Sequence, residues 1–532
     1  MSTNLQSDYQ LGQDNIRPFG LDIHNPVFLV SGLTIALFVL YTLMFQEQAG
    51  VFFGWLRPAI TSTFDWFFLL AGNIFVLFAL VLIFTPLGKV RLGGQDAKPD
   101  FSYAGWFAML FAAGMGIGLM FFGVSEPMSH FASSMGGTVL ENGVRTDWAP
   151  LSGAAGDIGA ARNLAMAATI FHWGLHPWAI YAVVALALAF FSYNHGLPLT
   201  LRSAFYPLLG EKVWGWWGHV IDTLAVFATV FGLATSLGFG TTQALAGFNF
   251  LYGWGTAEVA IVVLITVITL LATISVVRGL DGGVKVLSEI NMVLAGLLLF
   301  VIIVVGPTAD ILKTAASGGL AYIKELVPLS MPFGREDTNF SQGWTAFYWA
   351  WWVSWSPFVG MFIARVSRGR TVREFMICVI LIPTALCTLW MAAFGGTAIS
   401  QVIADASAPV AAAAQELKLF EMVKEFPMTG ILSLIGIILV LVFFITSSDS
   451  GSLVIDTITA GGKTDAPVAQ RVFWCSFEGA VAAVLLLVGG SEALGALQAM
   501  TVSTGLPFTI VLLVMCISTW IGLNRESKAL KT

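Results

Sequence analysis

The side chains with the most distinctive chemistry in this chain are indoles. They crowd into Gly343-Trp344-Thr345-Ala346-Phe347-Tyr348-Trp349-Ala350-Trp351-Trp352-Val353-Ser354-Trp355-Ser356-Pro357-Phe358. Tyr348, Trp352, Trp355 and Phe358 recur at helical steps and share one face, with Trp351 beside Trp355. Indole faces around a cavity attract a cation that cannot donate hydrogen bonds, at about 0.5 to 2 kcal/mol per ring. A quaternary ammonium or a sulfonium is such a cation, whereas a primary amine or a sugar calls for carboxylates or amides. An interfacial aromatic belt accounts for Trp344 and Trp349. Trp351, Trp352 and Trp355 run towards the middle of the segment, where a cage and plain packing both stand as readings.

Three further segments could complete a site. In Phe171-His172-Trp173-Gly174-Leu175-His176-Pro177-Trp178-Ala179-Ile180-Tyr181, Pro177 should kink the helix and turn Trp173, Trp178 and Tyr181 towards one cavity. His172 and His176 have the spacing of a metal pair, but with no third ligand nearby in sequence, hydrogen bonding between helices is the favoured role. Gly114-Met115-Gly116-Ile117-Gly118, followed by Phe122-Gly123-Val124-Ser125-Glu126-Pro127, predicts a broken helix, since each glycine costs about 1 kcal/mol relative to alanine. Freed carbonyls at such a break can hold a cation, although close helix packing explains any single glycine equally well. A dinucleotide fingerprint is excluded, because these glycines lie in an apolar run with no βαβ unit. Phe443-Phe444-Ile445-Thr446-Ser447-Ser448-Asp449-Ser450-Gly451-Ser452 offers hard oxygen ligands for Na+, or hydroxyls bonded to their own helix.

The elements that must position these residues are membrane spans. Of the residues, 57% are hydrophobic and only 11% charged, against roughly 25% in soluble domains. Runs long enough to cross a bilayer, about 20 residues each, cover Asn25 to Phe45, Trp66 to Leu87, Phe101 to Ser125, Asn163 to Leu201, Thr223 to Thr256 and Val259 to Val277. They continue over Ile290 to Ala309, Thr338 to Ala364, Phe375 to Ala404, Phe426 to Ser448, Val472 to Ser491 (interrupted by Glu478) and Ala493 to Asn524. The expectation is an all-α polytopic membrane protein with about twelve spans. Most of the 25 Lys and Arg, among them Lys89, Arg91, Arg365, Arg368, Arg370, Arg373, Lys463 and Arg471, fall on one face, which predicts cytoplasmic termini.

Pro127 to Arg162 reads as an outer loop, and Thr308 to Leu329 as an amphipathic helix lying in the interface. The net charge of -6 sits mostly in loops and gives no support to nucleic-acid binding. Residues 1–24 do not look like a cleavable leader. Cys378, Cys387, Cys475 and Cys516 lie in apolar runs as small buried side chains, with no metal or disulfide pattern. No convincing nucleophile or metal constellation points to an enzyme, since Ser447 to Ser452 lacks a credible base nearby. No ring of polar residues suggests a channel.

The tryptophan segment continues into Phe362-Ile363-Ala364-Arg365-Val366-Ser367-Arg368-Gly369-Arg370. With the glycine motif and the Trp173 segment, it resembles the betaine/choline/carnitine transporters over nearly the whole chain after the first two spans. The resemblance implies two inverted five-helix repeats of the leucine-transporter type working by alternating access, here residues 101–307 and 338–524. Two extra helices (25–88) would precede them, with the interfacial helix (308–329) between them and tails at 1–24 and 525–532. It also implies a homotrimer in the bacterial inner membrane, no cofactor, and Na+ as coupling ion.

Carried over by motif, the substrate cage would comprise Trp173, Trp178, Tyr181, Trp351, Trp352, Trp355 and Phe358, with Met115 lining it. One sodium would bind carbonyls of Ala112, Met115 and Phe443 and hydroxyls of Thr446 and Ser447. A second site would draw on Thr229 and Phe358, although Leu233 stands where the family has another threonine. No Lys or Arg between Lys212 and Arg278 could replace that ion, as one does in the family's sodium-independent exchangers. Choline carriers of the family tend to have an acid late in the glycine motif; Gly118 points instead to a zwitterion, glycine betaine or dimethylsulfoniopropionate. The implied function is sodium-coupled import of such a solute, with choline or carnitine carriage, or substrate exchange, as alternatives. Only residues 525–532 follow the last span, which does not predict a tail-based osmosensor.

Overall fold

A computed structural model describes residues 5, 7–114, 116–278, 285–490 and 493–529. Helices dominate: α1 (Asn25–Met44), α2 (Gln46–Phe84), α3 (Tyr103–Gly114), α4 (Ile117–Gly136), α5 (Ile158–Trp173), α6 (Leu175–His195), α7 (Trp216–Tyr252) and α8 (Glu258–Arg278). They continue as α9 (Lys285–Val305), α10 (Thr308–Ser330), α11 (Ala346–Val366), α12 (Val372–Ala404), α13 (Thr429–Thr459), α14 (Val468–Gly489) and α15 (Ala493–Ala529). Among the described residues, ten spans are long and apolar enough to cross a membrane, with α5 and α6 counted together; α3 and α4, bent by 68° at their junction, make an eleventh when taken as one span. α11 has the length of a span at 21 residues. Its Trp, Tyr and Ser side chains lower its hydropathy, because it turns them to protein and not to lipid.

Burial locates the centre of the bundle. The apolar window of α5 and α6 is 94% buried, whereas those of α8 and α9 are 28% buried and face outward. Several boundaries differ from the sequence reading. α2 begins at Gln46, about twenty residues before its apolar run, and carries Glu47, Arg57 and Asp65. The run from Asn163 is two helices, broken at Gly174. The expected loop from Pro127 is still helix as far as Gly136, because α12 closes over the proline: a Cβ on Gly395 would stand 2.3 Å from its ring.

The polar segments are also ordered. Asn15–Ile16 pairs with Ile23–His24 in a short hairpin, and Asp22 pairs with Lys463, joining that hairpin to the α13–α14 connection. α15 continues helical through Ala529, into the expected tail. α10 buries Ile311, Thr314, Gly318, Tyr322 and Leu329 while Leu312, Leu320, Ile323 and Val327 stay exposed, so it has a protein face and a second apolar face. Arg162 of α5 anchors it through Asp310 (2.6 Å) and Thr314 (2.7 Å), and also reaches Ser400 of α12 (2.8 Å). The arginine string after α11 is structural. Arg370 lies over the rings of Tyr103 and Trp106, and Gly369 (φ 81°) passes so close to Lys98 that a Cβ would clash with its backbone.

Candidate functional site

Two prolines shape the walls of the central site. Pro177 has no N–H, so the Trp173 carbonyl one turn earlier loses its helical donor. The chain breaks at Gly174, and the Trp178 indole donates to that carbonyl at 3.2 Å. Trp178 is therefore fully buried behind the wall, where it satisfies backbone. On α11, Pro357 frees the Val353 carbonyl, which accepts from the Ser356 hydroxyl at 2.7 Å.

The result is a cavity of about 400 Å³ lined by Trp173, Tyr181, Trp351, Trp352 and Trp355, with Ala113, Gly116, Gly118 and Leu119 from the broken helix. None of these lining residues is charged. Ring centroids of Trp173 and Trp352 are 5.3 Å apart and those of Tyr181 and Trp352 5.1 Å, both edge to face. Hydrogen bonds to α7 aim two of the indoles: Trp351 donates to Ser236 Oγ (3.1 Å) and Trp355 to the Gly232 carbonyl (3.0 Å). Gly118 is required by space, since a Cβ there would lie 2.8 Å from ring carbons of both Trp173 and Trp351.

A second cavity, of about 740 Å³, adjoins the first through the shared residues Ala113 and Trp355. Ala112, Phe443, Thr446, Ser447 and Phe358 line it, together with Asn291. Four of the five residues expected to hold sodium thus share one cavity, and the fifth, Met115, lies outside the described residues. Thr446 now donates to the Val442 carbonyl at 2.9 Å. Phe358 belongs to this cavity and not to the cage. Thr229 lines neither, and its hydroxyl is taken by the Ala225 carbonyl at 2.7 Å, so these cavities do not join it to Phe358.

On its other side the cage is closed by an aromatic layer. Phe122 packs 5.9 Å from Trp351 and 5.5 Å from Tyr348, and Phe347 stacks on Trp351 at 5.6 Å. Beyond that layer, Phe122, Trp344 and Phe347 line another cavity with Arg57, Gln415 and Gln498.

The sequence reading assigned no role to Glu126. Its side chain is fully buried and accepts from Trp173 Nε1 (2.7 Å) and Tyr348 Oη (2.5 Å), with His172 Nδ1 at 2.6 Å and His130 Nε2 at 3.2 Å. A carboxylate in a helix with almost no other charge was the available signal. The two histidines take the favoured role of hydrogen bonding between helices: His176 bonds Asn73 of α2 at 2.9 Å, while His172 meets Glu126 of α4, with His130 beside it. Ligand atoms of Glu126, His130 and His172 lie within 4.8 Å of one another. The carboxylate is already shared with an indole and a phenol, and this makes the cluster a hydrogen-bond hub. A base also appears beside the α13 serines: Glu478 accepts from Ser448 (3.0 Å) and Ser452 (3.2 Å), but neither serine lines a described cavity.

Comparisons with known proteins agree on one family. A profile of the betaine/carnitine/choline family of transporters matches residues 26–528. The chain is 66% identical, over 98% of its length and 95% of the relative's, to a glycine betaine/proline/choline transporter of Vibrio parahaemolyticus. Glycine betaine transporter 1 of the same organism is 55% identical, covering 98% of this chain and 97% of that protein. The glycine betaine transporter OpuD of Bacillus subtilis is 44% identical, covering 89% of each chain.

Proposed function

The chain belongs to the betaine/carnitine/choline transporter family and is a multi-pass membrane transporter, not an enzyme; from that premise we propose that it imports glycine betaine together with Na+ by alternating access. The observation that carries the reading is the uncharged cavity walled by Trp173, Tyr181, Trp351, Trp352 and Trp355. Its ring faces bind a quaternary head without needing a polar partner. The sulfonium analogue dimethylsulfoniopropionate presents the same charge to the same rings. All three relatives described above are named as glycine betaine transporters, one of them for proline and choline as well.

Sodium binds in the adjoining cavity, to the oxygens of Ala112, Phe443, Thr446 and Ser447. Because that cavity meets the cage at Ala113 and Trp355, an ion there and a substrate in the cage act on the same broken helix. Stabilising one closed arrangement with both bound is what couples the two fluxes. The repeats would be residues 101–307 and 338–524, after two extra helices at 25–88, with α10 at the interface. We place the protein in the bacterial inner membrane as a homotrimer with cytoplasmic termini.

Choline is a second reading, supported by the name of the 66% identical relative, which includes choline. Gly118 opposes it, since choline carriers of the family tend to have an acid at that position. The test is uptake into proteoliposomes of glycine betaine, choline, carnitine, ectoine and dimethylsulfoniopropionate. Saturable betaine uptake that collapses when external Na+ is replaced by K+ is expected. Betaine exchange indifferent to the ion would overturn the coupling, and uptake of none of the five would overturn the function.

A further inference from the structure

Glu126 stands directly behind the cage. Its Oε2 accepts from the indole N–H of Trp173, whose other edge lines the cavity, and from the hydroxyl of Tyr348. The indole can only donate and the hydroxyl donates here, so this oxygen is used twice as an acceptor. Oε1 faces ring nitrogens of His172 and His130, and the far nitrogen of His172 meets the Thr345 hydroxyl at 2.9 Å. In the tautomers that turn a ring N–H of His172 and of His130 towards Oε1, the set reaches four donors, a pattern that suits an ionised carboxylate inside protein. The hub ties α4, α5 and α11 together where the cage is built, and all of Glu126, His172, His130 and Tyr348 are fully buried.

We propose that Glu126 is a positioning and specificity residue: its carboxylate fixes the Trp173 indole by hydrogen bonding and supplies, through the width of that ring, the negative countercharge for a quaternary substrate head. This deepens the transport reading and rests on it. The physical case is that the cavity lining has no charge of its own, while a full charge one indole away in a dry interior acts through an effective dielectric nearer 20 than 80. A carboxylate set behind the ring attracts the cation without meeting it, so substrate leaves with no ion pair to break.

The network lets charge be separated from shape. In Glu126→Gln the amide oxygen still accepts from Trp173 and Tyr348, and the amide N–H groups donate to His172 and His130 once those rings change tautomer. Geometry is kept and only charge is lost. Binding of glycine betaine to purified protein, read by tryptophan fluorescence or calorimetry, should weaken about tenfold or more in Glu126→Gln while the melting temperature stays near wild type. Glu126→Asp should recover part of the affinity. Should Glu126→Gln melt well below wild type, Glu126→Asp and Glu126→Asn, matched in size, replace the pair, with Glu126→Asn the weaker binder.

Unchanged betaine affinity in the folded uncharged variant would overturn the countercharge role and leave the transport reading intact. A wild-type protein that binds no quaternary ammonium would instead overturn the transport reading itself.

Discussion

At the scale of single residues, two side chains three positions apart in one motif do different work. Tyr181 lines the cavity, whereas Trp178 lies behind it and donates to the carbonyl that Pro177 leaves without a partner. Trp178→Phe keeps an aromatic ring but abandons that carbonyl, and a buried unsatisfied group costs about 1 to 3 kcal/mol. Thermal unfolding should shift down accordingly, with substrate affinity changed less than stability; the reverse pattern would make Trp178 a cage residue. Gly118 makes the opposite case. Its missing Cβ leaves room for Trp173 and Trp351, so Gly118→Ala must push those rings apart. Betaine affinity measured by calorimetry should fall about tenfold or more, and a variant binding as wild type would show that the rings have slack.

At the scale of elements, the α13 hydroxyls and the broken helix meet across one cavity, and that is where the proposed ion coupling belongs. Thr446→Ala combined with Ser447→Ala should weaken the apparent Na+ affinity for uptake by an order of magnitude or so, with substrate affinity at saturating Na+ changed less. Equal loss of both would mean that these oxygens serve the substrate. The outer connection carries a pH dependence of its own. Burial raises the Asp147 carboxyl, but bonds from Arg145, Val139 N–H and Ala149 N–H outweigh it and hold the group down to about 2.

A folded value below the unfolded one gives stability that is complete above about pH 4 and lost as the pH falls towards 2, worth about 2 kcal/mol. Asp147→Asn should lower the melting temperature at pH 7 and flatten its acid dependence. An equally steep fall in the variant would locate the acid sensitivity elsewhere.

Elements of this kind were unevenly legible in the sequence. Apolar length announces a span, and a proline or a glycine run announces a break, because both act through local backbone chemistry. Pairing across helices leaves no such local mark. Glu126 could be read as a stray charge, yet nothing in its own segment names Trp173 and Tyr348 as its partners. The helical spacing of His172 and His176 suggested one pair, but the kink at Gly174 sends His176 to Asn73 and His172 to Glu126. Pro127 misled in the other direction: it looks like a helix end until Gly395 of α12 packs against it.

At the scale of the whole molecule, the cage lies between two larger spaces, adjoining the hydroxyl-lined cavity at Ala113 and Trp355 and separated from the Arg57 cavity by Phe122 and its aromatic neighbours. A carrier with one site between two such spaces needs only to exchange which side is closed. The same architecture explains why the membrane face is uneven, with α8 and α9 at the rim and α5 and α6 buried in the middle. Everything in this account turns on the indoles being the binding surface and not merely packing. The direct measurement is calorimetric titration of glycine betaine into purified wild type and Trp352→Leu at saturating Na+, with melting temperatures recorded for both. The account predicts saturable binding in wild type and a loss of at least about tenfold in a variant that remains folded, in line with up to about 2 kcal/mol for one ring. Near-normal affinity in folded Trp352→Leu would contradict it.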